Sequence, residues 1–327
     1  MTGLRIVSPG LMVTVQDGGR TGLRGYGVSA AGPMDAGAHA LANVLVGNDA
    51  DAAALEFAGH GGQMEMLQDA RIAVTGGTCD VTVNGQPVQP GQGYHLAAGS
   101  VLCIGQLRDA TWGYIAVAGA ITTPPVLGAR ATHLRSGLGG YFGRSLQAGD
   151  ILPIGPAPDA RCRRIIYPLR AATPMARGPI RVVLGPQDDR FSPDVLDQLT
   201  AQPFTVTAQR DRMAMVLGGV QLPASGGHDI VSDGSVPGSV QVPGSGNPLI
   251  LMAESQTTGG YPKIATVIGA DLGRLAQLPS GAQFHFATVS RDMAEDLWLA
   301  HCRHLRSVLN NLENASDTVI GGSGGRV

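Results

Sequence analysis

A mainly β chain in two β-rich units, with a few helices that include one at the C-terminus, is the fold class this sequence predicts. Three observations predict it. Apolar and polar residues alternate in short runs bounded by turn residues, and one pair of runs is joined by Asn84-Gly85, the signature of a type I′ hairpin. Glycine is spread along the whole chain, 48 residues of it, while aromatics make up only 4%. At roughly 150 residues per domain, a chain of 327 residues suggests about two domains.

The elements follow in order. Residues 33–46, PMDAGAHALANVLV, place Met34, Ala38, Leu41, Ala42 and Leu45 at helical spacing, with Pro33 suited to the first turn and Gly47-Asn48 to the stop. RIAVTGG and CDVTVNGQPV alternate by two, and WGYIAVAGAI at 112–121 reads as a buried strand. Residues 161–179, rich in Pro, Ala and Arg without periodicity, are expected to link an N-terminal unit (1–160) to a C-terminal one (180–313). In the second unit IRVVLGPQ, FTVTAQ, PLILMAES, IATVIGA and AQFHFATV read as strands. SPDVLDQL reads as a short helix capped by Ser192 with Pro193 at its first position. A longer helix over about 291–313 carries Leu297, Leu305, Val308, Leu309 and Leu312 on one face, with Ser290 as cap. The tail 314–327 ends in GGSGGRV and is expected to be flexible.

Composition excludes several function classes. A net charge of −2 gives no bulk attraction to nucleic acid or to a membrane surface. The four cysteines, Cys79, Cys103, Cys162 and Cys302, include no CxxC pair and read as reduced thiols of a cytoplasmic protein. Arg5 and Pro9 interrupt any apolar run at the start, so no secretory leader is expected, and no stretch approaches the length needed to span a bilayer. No GxxxxGK[ST] or GxGxxG motif occurs, and the GxSxG match at 321–325 lies in the tail without a preceding strand. His301, Cys302 and His304 lack a further ligand at matching spacing, so no metal site is expected.

The unusual chemistry concentrates in five glycine-rich, charge-bearing segments. They are TVQDGGRTGLRGYGVSAAGPMD (14–35), RSGLGGYFGRSLQAGD (135–150), GPQDDRF (185–191), SDGSVPGSVQVP (232–243) and MAESQTTGGYPKIATVI (252–268). The last delivers Lys263, the only lysine of the chain, directly after Gly-Gly-Tyr-Pro. Tight turns explain most of these glycines, yet hairpins do not need Gln-Asp-Gly-Gly-Arg or Gln-Thr-Thr-Gly-Gly-Tyr-Pro-Lys. A glycine run beside a fixed cation also lets backbone N–H groups approach an anion.

Taken together, these segments resemble the family of the C-type 5-oxoprolinase subunit, also called allophanate hydrolase subunit 2, which is related to half of the carboxyltransferase domain of urea carboxylase. The resemblance runs from SPGLMVTVQDGGRTG to GAQFHF and includes LVGNDADAAALEF, GRSLQAGD and QTTGGYPKIATVIGADLGRLAQ. Two departures stand out: Ala214 where relatives tend to have glycine, and Glu254 where an aspartate is usual. The resemblance implies cyclophilin-like β-barrels, two further 5-oxoprolinase subunits as partners (the B-type and the A-type), and ATP-dependent conversion of 5-oxo-L-proline and water to L-glutamate, ADP and phosphate. ATP is then the cosubstrate, with magnesium left open, and the isolated chain is expected to be inactive.

The chemistry explains the residue types. Amide resonance makes the lactam carbonyl of 5-oxoproline a poor electrophile, and phosphorylating its oxygen makes it a better target for water. Such a reaction needs fixed cations and N–H donors around the developing charge. Lys263, a compact point charge, is the leading candidate, with Glu254 and Asp233 as candidate bases. Arg20, Arg144, Gln256, Thr257, Thr258, Gly259, Gly260 and Tyr261 are candidate substrate or anion contacts. Arg20 has an alternative in an ion pair with Asp17, and Asp188 and Asp189 read as an acidic turn. Two other functions stay open. One is half of a biotin-dependent carboxyltransferase acting on urea or a related amide, with biotin on a separate carrier. The other is a non-catalytic regulatory partner of a kinase inhibitor.

Overall fold

The computed structural model describes residues 2–165, 178–315 and 319–320. The core of the expected linker (166–177) and residues 316–318 and 321–327 of the expected tail lie outside the described residues. The chain is mainly β and forms two compact units. One comprises Met1–Arg20, Asp35–Pro174 and Leu305–Val327, the other Thr21–Met34 and Met175–His304.

The first unit is one curled sheet of ten strands. Its organiser is the 13-residue strand Ala54–Met66, which pairs along one edge with Leu4–Gln16. Along the other edge Leu55–Ala58 pair with Trp112–Val117, and His60–Glu65 pair with Val101–Gln106. One strand therefore serves two different neighbours, and the sheet must bend at the change. Gly59, between the two stretches, permits the bend with a φ of 67°; at Gly62 (φ 80°), where the pairing with Leu4–Gln16 shifts register, a Cβ would lie 2.2 Å from the Ser8 carbonyl oxygen. The concave face holds a core that includes Leu4, Ile6, Phe57, Ile72, Leu96, Ile104 and Ile115.

Asn84 (φ 50°) and Gly85 (φ 79°) turn the hairpin Val81–Val83/Gln86–Val88 as the sequence predicts. Trp112–Val117 is buried at every position. Helix α1 spans Ala36–Leu45, three residues later than the periodicity suggests. Asp35, not Pro33, sets its start, because the Asp35 carboxylate accepts the Ala38 N–H at 3.1 Å. Arg163–Arg164, inside the expected linker, pair with Glu313–Asn314. Val319–Ile320 add a parallel strand beside His95–Leu96.

The second unit is an eight-stranded sheet that nearly closes on itself. The strands at the two ends of its order, Gln283–Phe284 and Phe286–Thr288, are separated in the chain by His285 alone, so the ends must meet. Phe204, Phe284 and Phe286 fill that seam with ring centroids 5.1–6.3 Å apart. Helix α2, Pro193–Ala201, buries Val195 and Leu199. Ser192 sits at its N-cap but makes no side-chain capping bond; its carbonyl receives the Val195 and Leu196 N–H groups instead.

Helix α3, Gly269–Gln277, follows directly on the strand Lys263–Val267 and escapes the strand reading of IATVIGA. Its Asp271 is buried, which by itself would raise the carboxyl pKa. The Arg181 guanidinium and backbone N–H, with Arg274 behind them, outweigh that and hold it below its usual value. Helix α4, Arg291–Asn310, begins where Ser290 Oγ accepts the Met293 N–H. None of its residues is fully buried, including the leucine face. No described helix is long and apolar enough to cross a membrane.

Candidate functional site

Lys263 opens a central strand of the second unit, in register with Gln241 on one side and next to the end of Ile180–Leu184 on the other. The chain leaves that second strand through Gly185, whose N–H donates to the Ile264 carbonyl at 2.8 Å. A Cβ at Gly185 would stand 2.0 Å from the Lys263 carbonyl oxygen, so the approach requires glycine. Two residues on, Gln187 turns back over the same strand. Its Oε1 accepts the Lys263 backbone N–H at 3.1 Å, and its Nε2 donates to Asp233 Oδ2 at 3.1 Å. Lys263 Nζ donates to the same Asp233 oxygen at 2.8 Å. Lys263, Gln187 and Asp233 thus close a ring of three hydrogen bonds, which grips the lysine at both ends and holds it rigid.

Burial is uneven across this ring. The Lys263 side chain is 3% exposed, whereas that of Asp233 is 50% exposed. The Lys263 hydrogen bond first, then Gln187 and the Gly234 N–H, hold the Asp233 carboxyl down to about 2. An ammonium carries three donors and Asp233 takes one of them, so the lysine retains donor capacity at the edge of the loop cluster.

The stretch 256–261 lies over the same place. Thr258–Gly259 pair with Asp233–Gly234 in a two-residue ribbon, and the Ser235 N–H extends it to the Thr257 carbonyl. Gly260 accepts the Ile230 N–H, and Pro262 accepts that of Val242. Gly259 is confined by a neighbour: a Cβ would lie 2.4 Å from Gln241 Nε2. Gln256 and Tyr261 are exposed. Lys263, Asp233 and the 256–261 stretch are therefore brought together within one unit.

The other candidates have local partners. Glu254 Oε1 receives Arg212 Nε at 2.6 Å, with side-chain exposures of 2% and 1%, and Arg212 Nη2 reaches the Gly32 carbonyl. Burial pushes the Arg212 guanidinium below its ordinary pKa, and Glu254 opposes the shift. Glu254 thereby anchors the loop that precedes Gln256. Arg20 and Arg144 belong to the first unit. Arg20 is 1% exposed and donates to the Val126 and Ala131 carbonyls. Asp17 receives the N–H groups of Gly19, Arg130 and Ala131, so both residues fasten the 126–131 turn. Arg144 makes a bidentate pair with Asp150 at 2.7 and 2.8 Å and lies over the rings of Tyr141 and Phe142. Asp188–Arg190 form a short 3-10 turn with its acidic residues at the start. The His301 ring stacks on Trp298. Among the described residues no three His, Cys, Asp or Glu side chains are grouped to hold a metal.

Sequence reasoning missed Gln187 and Arg24. Arg24 Nη2 donates to both the Ser235 and Gln256 carbonyls and so ties the two strands of the ribbon. The only advance signal was position: each sits within two residues of a glycine inside a segment already marked as unusual.

Two curled sheets, the second of which carries this loop cluster, define the class. Residues 26–288 match the carboxyltransferase domain, subdomain A and B, and the chain belongs to that family. It is 38% identical over 292 residues to the C-type 5-oxoprolinase subunit of Escherichia coli, a match covering 89% of this chain and 93% of that protein. It is 29% identical to the urea amidolyase of Lachancea kluyveri, covering 89% of this chain and 17% of that protein. The crystal structure of the Kluyveromyces lactis urea amidolyase superimposes with a TM-score of 0.87 at 27% identity. That match covers 97% of this chain and 20% of the amidolyase, so this chain spans about a fifth of that larger protein.

Proposed function

We propose that this chain works as one subunit of an ATP-dependent 5-oxoprolinase, together with partners of the B-type and A-type. The observation that carries the reading is the Lys263–Asp233 pair: a buried ammonium and a half-exposed carboxylate fixed side by side. A cis amide presents its carbonyl oxygen and its N–H along one edge. The ammonium suits the oxygen and the carboxylate suits the N–H, so the pair is complementary to a lactam edge. Charge that develops on the lactam oxygen during ring opening would meet Lys263 already in place, with no reorganisation needed. Thr257, Thr258 and Tyr261 border that edge, and Gln187 holds both members of the pair. We assign the amide to this chain and the nucleotide to the assembled complex. The name and near full-length match of the Escherichia coli relative support the reading.

A ureido group has the same edge, and the likeness to urea amidolyase supports a second reading, half of a biotin-dependent carboxyltransferase. One assay separates them. The chain and its partner subunits are supplied with 5-oxoproline and ATP, and glutamate release is measured. Release that needs this chain, and is abolished by Lys263→Ala while the complex still assembles, supports the first reading. Release that is unchanged when the chain is omitted removes it. Carboxylation of urea by the chain with a biotinylated carrier establishes the second, and stable assembly without either activity leaves a regulatory role.

A further inference from the structure

Arg24 stands at the end of the ribbon whose Asp233 pairs with Lys263. It opens the 3-10 turn Arg24–Tyr26, and its Nη2 is fixed by carbonyls on both ribbon strands, 2.5 Å from Ser235 and 3.2 Å from Gln256. Its Nη1 is shut off from water and has no hydrogen-bond partner among the described residues. Burial alone shifts its pKa, downward, with no charged neighbour opposing it. A half-buried guanidinium aimed by two carbonyls and without a counter-charge is a prepared oxyanion site: Ser235 and Gln256 take both Nη2 hydrogens, and Nη1 is the donor left for a carboxylate oxygen. Ser235 is two residues beyond Asp233 on the strand, about 7 Å along it. That spacing suits one small molecule carrying an amide edge and a carboxylate on a five-membered ring.

We propose that Arg24 binds the carboxylate of the substrate while Lys263 and Asp233 read its amide edge. The identity of the carboxylate rests on the 5-oxoproline reading; the anion site rests on the geometry of Arg24. The arrangement distinguishes a lactam acid from urea, which has nothing to place against the guanidinium.

The test compares binding of 5-oxoproline with that of 2-pyrrolidinone, the same lactam without the carboxylate, to the chain assembled with its partner subunits. The wild type is expected to prefer 5-oxoproline on the order of 10- to 100-fold, the range of a hydrogen bond to a charged group. Arg24→Gln is expected to erase the preference, weakening 5-oxoproline binding far more than 2-pyrrolidinone binding, and Arg24→Lys to keep part of it. Full preference in Arg24→Gln overturns the proposal. Should the wild type bind neither lactam, the substrate reading falls, and the anion site is read separately on the full-length chain from the NMR signal of the Arg24 guanidinium. A saturable shift with acetate upholds the site. A shift with phosphate or ATP alone overturns the carboxylate assignment, and no shift with any of them overturns the site.

Discussion

Lys263 Nζ and Asp233 Oδ2 lie 2.8 Å apart across a burial boundary, the lysine side chain 3% exposed and the aspartate 50%. The cation is thereby fixed by protein on its inner side, while its partner faces the solvent from which a ligand arrives. With the carboxylate half in water, which screens the pair, its interest is positional.

The first expected outcome concerns acidity. The lysine, with Gln187 and the Gly234 N–H, holds the Asp233 carboxyl down to about 2 from its ordinary 3.8. A pKa depressed in the folded state adds stability above the unfolded value, and that stability is lost as pH falls from 3.8 towards about 2. Lys263→Met is expected to move the Asp233 midpoint up towards 3.8, as followed by carboxyl-carbon NMR. A midpoint that does not move would mean that another group sets it.

Arg212 and Glu254 form the buried counterpart, with side-chain exposures of 1% and 2%. Removing one partner leaves a charge without compensation, so Arg212→Met or Glu254→Leu is expected to destabilise the chain by about 3–5 kcal/mol. The double variant should cost less than the sum of the two singles, because neither charge then remains. Denaturant unfolding of all four forms reads the difference directly.

Gly185→Ala places a methyl where the Lys263 carbonyl oxygen already lies, 2.0 Å from the new Cβ. Backbone must move to admit it, at a cost of about 1–3 kcal/mol. The same movement carries Gln187 away from Lys263 and Asp233, so turnover should fall more than thermal stability does. Activity retained in full would separate Gln187 from the chemistry.

Asp35→Ala tests the first helix. Its carboxylate accepts the Ala38 N–H, and its loss is expected to cost about 0.5–2 kcal/mol. Pro33→Ala, outside the helix, should change stability far less in the same melting experiment.

Much of the architecture was legible because the signals were local. Asn84-Gly85 permits the conformation its hairpin needs, Trp112–Val117 is a continuous buried run, and Ser290 caps the last helix. Helix α3 was not legible: GADLGRLAQ begins with glycine immediately after a β-rich run, and Asp271 joins it to Arg181 on a strand far away in sequence. The site divides in the same way. Lys263 stood out because no other lysine exists, and its glycine-rich surroundings pointed to a loop cluster. Gln187 and Arg24 act on groups of segments far away in sequence, which composition and spacing cannot reveal. Glu254 drew notice for its position ahead of the Gln-Thr-Thr run, yet its partner is Arg212, 42 residues away.

The way the units share the chain constrains how the molecule is made. Thr21–Met34 belong with Met175–His304, and within that unit Gly32 and Arg24 already have their partners there. Vectorial synthesis on a ribosome delivers residues 21–34 long before Arg212, Ser235 or Gln256 exist to receive them. The first unit waits as well, for Glu313–Asn314 and Val319–Ile320, which pair with strands made far earlier. Neither unit can finish before its late segments have emerged, and a gene cut at residue 174 would yield two fragments that each lack pieces of themselves.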